Sequence, residues 1–382
     1  MLQNQYDVTV CGAGVAGVAA ALAAARRGMK TLLIEKTTQP GGLATGGLVL
    51  VYLQLCDGKG KQLISGISEE LLLASNKYGP LDPTPNWKEG KGQYIARFSP
   101  SSFVLAMDEL LEEAGVDVWL DTVLVSAKKE DSRLTSITVS NKSGLIDIES
   151  KLFIDATGDA DILYLSGHNC NYAQNSMVLW TIEHNENATR GGNDLNDHDH
   201  VAIHADPLSK VYTEEHLSGK MVSDFILEGR RRYRNLLKKE YEEKTASRKT
   251  HYPVTLQTVP PIRKGRCING VFTMTDGMAW QKFEDPVGIF CEWCNNKNIW
   301  QIPYRALLPA DTTGVLAAGR CIAATGNAWE ATRVIPVAAL TGEVAGTAAA
   351  LSLKRGILPH ELPYEVLREE LQNVNGFKLD FE

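Results

Sequence analysis

Tyr6-Asp7-Val8-Thr9-Val10-Cys11 is a short β-prone run that stops at Gly12, and Val15 to Arg27 then carry Ala and Leu at helical density. An apolar strand followed by an apolar helix predicts two buried elements, the helix closed by Gly28. Met29 to Glu35 supplies a second buried strand, so the opening segment is one βαβ unit. Further along, Phe103 to Ala114 has the spacing of a helix, while Asp117 to Lys128 and Leu134 to Val139 alternate as strands. Leu152 to Asp155 predicts a buried strand running into an Ala156-Thr157-Gly158-Asp159 turn, and Gly314 to Arg320 predicts another strand. Val334-Ile335-Pro336 opens a helix of small residues that ends near Lys354-Arg355-Gly356. Proline suits a first helical turn, and glycine suits the cap after a basic last turn.

Two stretches break this pattern. Tyr52 to Tyr94 is rich in Gly, Lys, Asp and Pro around an amphipathic Glu69-Glu70-Leu71-Leu72-Leu73 helix, and Ser166 to Gln301 holds turns, aromatics and short strands. At 382 residues the chain exceeds what one hydrophobic core usually serves, so two packed units are expected. A hydrophobic share of 44% with 22% charged residues argues for a globular protein against a disordered or fibrous one. A net charge of -7 argues against a nucleic-acid partner, because phosphate binding needs an excess of Lys and Arg. The seven cysteines are scattered, which fits a reducing compartment. Val8 to Ala25 looks like a secretion signal in its apolarity, but Arg26 and Arg27 follow the run and no Lys or Arg precedes it. Its Ala and Gly also make it a poor membrane span, and a cytoplasmic protein without membrane contact is the expectation.

At the first strand-to-helix turn stands Gly12-Ala13-Gly14-Val15-Ala16-Gly17, a G-x-G-x-x-G. In such a turn the first glycine permits the tight bend, the second lets a pyrophosphate approach the backbone, and the third lets helix and strand pack closely. Glu35 closes the second strand, where a carboxylate accepts hydrogen bonds from an adenosine ribose and would repel a 2′-phosphate. These features mark a dinucleotide without separating FAD from NAD.

Four further segments decide between them: the Gly41-Gly42-Leu43-Ala44-Thr45-Gly46-Gly47-Leu48 loop, the Ile154 to Asp161 turn, Ile302 to Pro309, and Ala317 to Ile322 with Arg333 and Pro336 beyond. In these residues the sequence resembles the FAD-dependent oxidoreductase family of the glutathione-reductase-like flavoproteins, in the branch without a second, NADPH-binding domain. The resemblance implies an α/β fold: a Rossmann-like FAD-binding domain (parallel sheet with helices) in residues 1–51, 95–165 and 302–382, interleaved with an α+β substrate or cap domain in 52–94 and 166–301. It implies FAD contacts from Gly12, Gly14, Ala16, Gly17, Glu35, Lys36, Gly42, Leu43, Thr45, Gly46, Val123, Ala156, Thr157, Gly158, Gly319, Arg320 and Pro336. Within that set Glu35 takes the ribose, the Val123 backbone the adenine, Thr157-Gly158 the pyrophosphate and Gly319-Arg320 the ribityl chain. The helix opening at Pro336 points its N-terminus at the flavin pyrimidine edge, where positive partial charge favours a reduced, anionic flavin. Many relatives carry a His-Glu pair where this chain has Gly326-Asn327. The glycine-rich loop has no Cys or His to link a flavin covalently, so the FAD is expected to be non-covalent.

Other constellations are weaker. His200 and His204, with His198 beside them, have i,i+4 spacing suited to a metal, but a polar loop leading into a helix explains them and no metal is expected. Cys291-Glu292-Trp293-Cys294 has redox-dithiol spacing but follows a strand rather than opening a helix, so structural or incidental cysteines are expected. The run Gly229-Arg230-Arg231-Arg232-Tyr233-Arg234 has nearby acids and Leu236-Leu237, which suits a solvated amphipathic helix better than an anion-docking one. Trp180, Trp280, Trp293, Trp300 and Trp329 suit core and interface filling.

The expected activity is oxidation of a small organic substrate by hydride transfer to flavin N5. Arg305 and Arg333 are the candidates for substrate contact, since an arginine facing the flavin clamps a carboxylate by a forked pair; Arg263 and Arg266 are lesser candidates. Tyr304, His168 and His251 are the available general bases. Alternative readings are a structural or sensory FAD without turnover, and an NAD-using enzyme of the same fold.

Overall fold

The computed structural model describes residues 5–79, 95–187, 199–210 and 217–381. Its chain begins with β1 (Gln5–Cys11), α1 (Val15–Ala25) and β2 (Thr31–Ile34), the expected βαβ unit, with β1 and β2 parallel. Then come β3 (Val51–Tyr52), α2 (Ile67–Ala74), β4 (Ala96–Arg97) and α3 (Pro100–Glu113), the last capped by Ser99. β5 (Asp117–Trp119), β6 (Val123–Glu130), β7 (Arg133–Asn141) and β8 (Gly144–Asp155) follow. The main sheet has the order β5-β2-β1-β8-β7-β6, and β16 (Val315–Ala317) pairs parallel with the C-terminal half of β8.

β8 organises this sheet. Its N-terminal half pairs antiparallel with β7, and its C-terminal half, buried throughout from Leu152 to Asp155, runs parallel between β1 and β16. Parallel strands buried on both faces carry continuous apolar runs, and those were the strands whose pattern was plainest in the sequence. The single strand expected over Asp117 to Lys128 is instead two, at opposite edges of the sheet. The chain breaks where Asp121 takes a left-handed conformation and Asp121 and Thr122 donate backbone hydrogen bonds to Thr37 and Glu35.

The second unit contains α4 (Asp161–Leu165), β9 (Cys170–Tyr172), β10 (Ser176–Asn185), β11 (Asp199–Lys210), α5 (Gly219–Glu242), β12 (His251–Leu256) and β13 (Arg266–Ile268). β11, β10 and β12 form an antiparallel sheet against which α5 packs Phe225, Gly229, Tyr233 and Leu237, while Arg231 and Arg232 pair with Glu228 away from the sheet. The hairpin of β14 (Pro286–Cys291) and β15 (Ile299–Pro303) leads into β16, α6 (Gly326–Thr332), α7 (Ile335–Arg355) and α8 (Tyr364–Asn373). Gly356 closes α7 in the left-handed conformation, as the sequence indicated.

α7 and α1 meet nearly backbone to backbone. A methyl at Gly342 would stand 2.0 Å from the Ala16 carbonyl oxygen, and one at Gly346 would stand 2.2 Å from that of Ala20. This close approach is why both helices are built from small residues. Among the described residues α7 is the one helix long and apolar enough to cross a membrane, and here it lies buried against α1.

Candidate functional site

The C-terminal ends of β1, β2, β8 and β16 open on one cavity of about 330 Å³, reached by the N-terminus of α1, the Gly41 to Ala44 loop, the Ala156 to Asp159 turn and the start of α7. A second space of about 210 Å³ continues from it between Glu35, Lys36, Thr122, Val123, Leu124 and Thr157. Clefts beyond the carboxyl ends of parallel strands are where this class of sheet binds ligands.

The three glycines of the turn play separate parts. A methyl at Gly12, whose φ is +94°, would stand 2.5 Å from the Ala156 carbonyl oxygen, and one at Gly17 would stand 1.7 Å from that of Gly12. A methyl at Gly14 meets nothing within 4 Å, because that residue faces the cavity. Two glycines are therefore required by packing, and the middle one leaves bare backbone for a ligand. Gly42 lies over it, its own methyl position 3.1 Å from the Gly14 Cα.

Glu35 is buried at the joint between the two spaces. One carboxylate oxygen accepts the Ala13 amide at 2.8 Å, and the other accepts the Thr37 amide and hydroxyl at 2.9 Å each. Beyond the ribose contact expected of it, the Glu35 carboxylate thus holds the glycine-rich turn. Below the opposite turn, Asp155 is fully buried and accepts from the Thr157 amide and hydroxyl and from the Leu163 amide. Burial pushes its pKa up to about 6 despite those bonds.

Of the expected FAD contacts, Gly12, Gly14, Ala16, Glu35, Lys36, Gly42, Leu43, Ala156, Thr157, Gly158 and Arg320 line the larger space, and Val123 lines the smaller. Gly17, Thr45, Gly46, Gly319 and Pro336 stand behind the lining. Thr45 donates its hydroxyl to the Pro40 carbonyl, the Gly46 carbonyl accepts the Thr258 amide, and the Gly319 amide donates to Thr341. Pro336 lies in the first turn of α7, which has no acidic residue and no side-chain cap, so its positive end faces the cavity through Ile335 and Ala338. The sequence missed Asp159, Asp161 and the apolar wall of Leu217, Val222, Val259, Pro260 and Ile262, which comes from the first turn of α5 and from irregular segments, none of them carrying a motif.

The substrate-contact candidates separate. Arg333 lines the cavity, whereas Arg305 does not: its guanidinium forks onto Asp285, with contacts of 3.0 and 3.1 Å. Arg266 lines the cavity but is engaged by Asp161 and the Asp159 carbonyl, and its guanidinium lies 3.9 Å above the Tyr164 ring. Arg320 pairs with Asp159 at 3.1 Å and donates to the Ile262 carbonyl at 2.6 Å.

None of the three candidate bases reaches the cavity. The buried Tyr304 hydroxyl donates to the Pro359 carbonyl and is held above its ordinary pKa by burial. His168 is enclosed and contacts Asp311. His251 lies between Glu183 and Glu240.

His200 and His204 stand on β11, not on a loop entering a helix, and both turn their Nε2 atoms toward Glu183, at 3.4 and 3.1 Å. Strand period two puts i and i+4 on one face as surely as a helix does. His198 lies outside the described residues. Burial raises the Glu183 pKa, but its hydrogen bonds and the imidazole charges outweigh that and bring it down to about 2. Cys291 and Cys294 are free thiols at the end of β14, both held at about 11 by burial first, with Glu292 adding to it at Cys294. Trp180, Trp300 and Trp329 are buried, while Trp280 and Trp293 are partly exposed.

The cavity fits the expected FAD. Bare backbone at Gly14, a carboxylate at the second strand, a side chamber beside Val123 and a helix N-terminus at the far end occur in the order that a dinucleotide with a flavin requires. The lining of the larger space contains no Cys, His or Tyr among the described residues.

Residues 7–179 and 177–371 match the model of the FAD dependent oxidoreductase family, and the chain belongs to that family. It binds FAD as an enzyme of the oxidoreductase class. Digeranylgeranylglycerophospholipid reductase from Picrophilus torridus is 31% identical over 163 residues, which is 41% of this chain and 40% of that protein. Protein FixC from Bradyrhizobium diazoefficiens is 44% identical over 50 residues, 13% of this chain and 12% of its own. The match thus spans about two fifths of the length of the first of these relatives and less of the second. Among solved structures, p-nitrophenol 4-monooxygenase PnpA from Pseudomonas putida DLL-E4 aligns over 97% of this chain and 86% of its own, with a TM-score of 0.50 at 12% identity, a likeness of fold. The family, rather than a glutathione-reductase-like branch of it, is what these matches establish.

Proposed function

We propose that this member of the FAD-dependent oxidoreductase family oxidises a small organic substrate. FAD held in the glycine-lined cavity would supply the chemistry, as the acceptor of a hydride. The observation that carries the reading is the division of labour at the turn: Gly12 and Gly17 are closed by packing while Gly14 stands open to the cavity.

The residues around the cavity have separable tasks. Glu35 holds the turn and turns its remaining lone pairs to the ribose hydroxyls. The amides at the start of α1 receive the pyrophosphate. The open end of α7 favours negative charge at the flavin ring, worth about 0.3–1 kcal/mol for an exposed site and more in a dry one. Val222, Val259, Pro260 and Ile262 wall the space beside that helix end and exclude water from it, and Arg333 is the substrate-facing cation there. The flavin is held without a covalent bond. Electrons come from the organic substrate rather than from NADH or NADPH, since the chain has one dinucleotide turn and uses it for FAD.

Anaerobic mixing of the FAD-loaded protein with a panel of metabolites tests the reading. Bleaching of the oxidised flavin by at least one organic substrate supports it. Retention of colour with every donor, or a protein that takes up no FAD, overturns it.

A further inference from the structure

The antiparallel sheet of the second unit carries, on the face under α5, a cluster of titratable groups that the cavity does not use. Glu183 stands at its centre on β10, buried. Strand pairing sets His200 of β11 opposite Glu183, and sets His251, at the start of β12, opposite Asn185. One Glu183 oxygen lies 3.4 Å from His200 Nε2 and 3.2 Å from His251 Nε2. The other lies 3.1 Å from His204 Nε2 and accepts the Thr181 hydroxyl at 3.2 Å. Among the described residues the ion-pair partners of Glu183 are imidazoles alone. Burial works to raise its pKa, and the hydrogen bond and charge of His204, with the charge of His251, bring it down to about 2, so Glu183 is the fixed negative charge of the set.

From the other side α5 contributes Tyr233, Glu240 and Tyr241. The Tyr233 ring is centred 4.5 Å from that of His204 and 6.4 Å from that of His251, and burial first, then Glu183, raises the pKa of its hydroxyl. Tyr241 donates its hydroxyl to the His251 carbonyl at 2.6 Å. One Glu240 oxygen lies 2.6 Å from His251 Nδ1.

His251 is therefore the joint between helix and sheet, with one ring nitrogen on a carboxylate of α5 and the other on a carboxylate of β10. Its side chain is only 4% exposed, which leaves water little access to either contact. A neutral imidazole has one N–H and one lone pair, so it serves one carboxylate and turns a lone pair on the other, whereas an imidazolium donates to both. The Nε2 contact with Glu183 has ion-pair distance but no hydrogen-bond direction, so the charge of the ring is what holds it. Without that charge a buried lone pair faces a carboxylate, and the free-energy cost falls when Glu240 and its helical turn move away.

We infer that the His251 imidazole is a proton-operated latch between Glu240 and Glu183, which fastens the C-terminal half of α5 to the sheet when charged and releases it when neutral. Fastening is complete at low pH and is lost as pH rises through the range in which histidines titrate. The first turn of the same helix carries Val222 into the cavity wall, so release of the latch loosens that wall, a consequence that rests on the proposed flavin site.

Hydrogen exchange of the FAD-free protein reads the latch without a flavin. Protection factors of the α5 amides from Tyr233 to Glu242, taken relative to those of α1, should fall at least about tenfold between about pH 6 and about pH 9 in the parent. Glu240→Gln offers Nδ1 an N–H to accept, so a neutral His251 serves both neighbours and protection should persist at both pH values. Glu240→Ala removes the helix side of the joint from a partly exposed position, and should show at pH 6 the low protection that the parent shows at pH 9. Nitrogen-15 spectra of the imidazoles should find both ring nitrogens of His251 protonated at pH 6 and one at pH 9. In the FAD-loaded parent, FAD dissociation should quicken over the same range, and in Glu240→Gln it should not.

Protection in the parent that does not change with pH, or that falls equally in Glu240→Gln, overturns the latch, as does a neutral His251 ring at pH 6. A latch that operates by these measures while FAD dissociation stays constant overturns the link to the cavity. A protein that takes up no FAD but shows the pH-dependent protection defeats the flavin reading while the latch stands.

Discussion

Replacing Glu35 with glutamine separates the two tasks given to that side chain. In the folded protein its carboxylate accepts three hydrogen bonds, from the Ala13 amide, the Thr37 amide and the Thr37 hydroxyl. Glutamine is nearly isosteric but has only one acceptor oxygen. With that oxygen kept toward Thr37, its NH2 group meets the Ala13 N–H, and two donors face each other in a buried place. The Thr37 hydroxyl has an alternative acceptor in the Gln39 carbonyl at 3.0 Å, so the loss concentrates on Ala13. Losing one hydrogen bond to a buried charged acceptor costs about 1.5–3 kcal/mol, so the FAD-free variant should be about 2 kcal/mol less stable to urea than the parent. Removal of a charged acceptor for the ribose should weaken FAD by a similar free energy, roughly tenfold to a hundredfold in Kd, measured by quenching of flavin fluorescence. An unchanged midpoint for the FAD-free variant would refute the role of Glu35 in holding the turn. Unchanged FAD affinity would refute its role at the ribose.

Gly14→Ala should fold as stably as the parent but bind FAD at least about tenfold more weakly, because the added methyl enters the cavity and Gly14 has an ordinary φ of -60°. Gly17→Ala should lower the melting temperature of the FAD-free protein, since its methyl would stand 1.7 Å from the Gly12 carbonyl oxygen; an undiminished melting temperature would contradict the packing argument. Glu343, buried in the middle of α7, is raised by burial from 4.5 to about 7. A carboxyl with a raised folded pKa contributes stability that is complete below pH 4.5 and is lost as pH rises through about 7, here on the order of 3 kcal/mol. The urea stability of the parent relative to Glu343→Gln should therefore fall between pH 5 and pH 8, and a pH-independent difference would remove the basis for it. Heat or acid should release the flavin into the supernatant, and colour left on the precipitate would show a covalent link. NADH and NADPH should leave the flavin oxidised in anaerobic stopped-flow mixing, and rapid complete bleaching at micromolar donor would refute a non-nicotinamide donor.

The elements whose apolar pattern is continuous were legible in the chain: β1, α1, β2, the end of β8, β16 and α7 all fall where the sequence places them. The reason is that each is largely buried, so no alternation is needed to identify it, and all but β2 run into a glycine. Edge elements were less legible. β5 and β6 merged into one run because both are half-exposed, and the break depends on a left-handed Asp121 bonded back to Thr37, a contact with no local signal. β11 carried histidines at a spacing equally suited to helix and strand, and pairing with β10 decided it.

At the site, the glycine turn, Glu35 and the positive end of α7 were determined by the sequence, because each follows from a local requirement of one strand, turn or helix. The roles of the arginines were decided by tertiary structure alone. Arg305 and Arg333 look alike along the chain, yet Asp285 takes the first, while the second lies at the cavity sharing Glu330 with Lys264. Asp285 lies twenty residues before Arg305, and although Glu330 is only three residues from Arg333, the Lys264 that shares it comes from a distant segment. An ion pair depends on a few ångströms of separation that only the packed chain sets, and for that reason the substrate end of the cavity was hidden in a sequence that displayed its cofactor end.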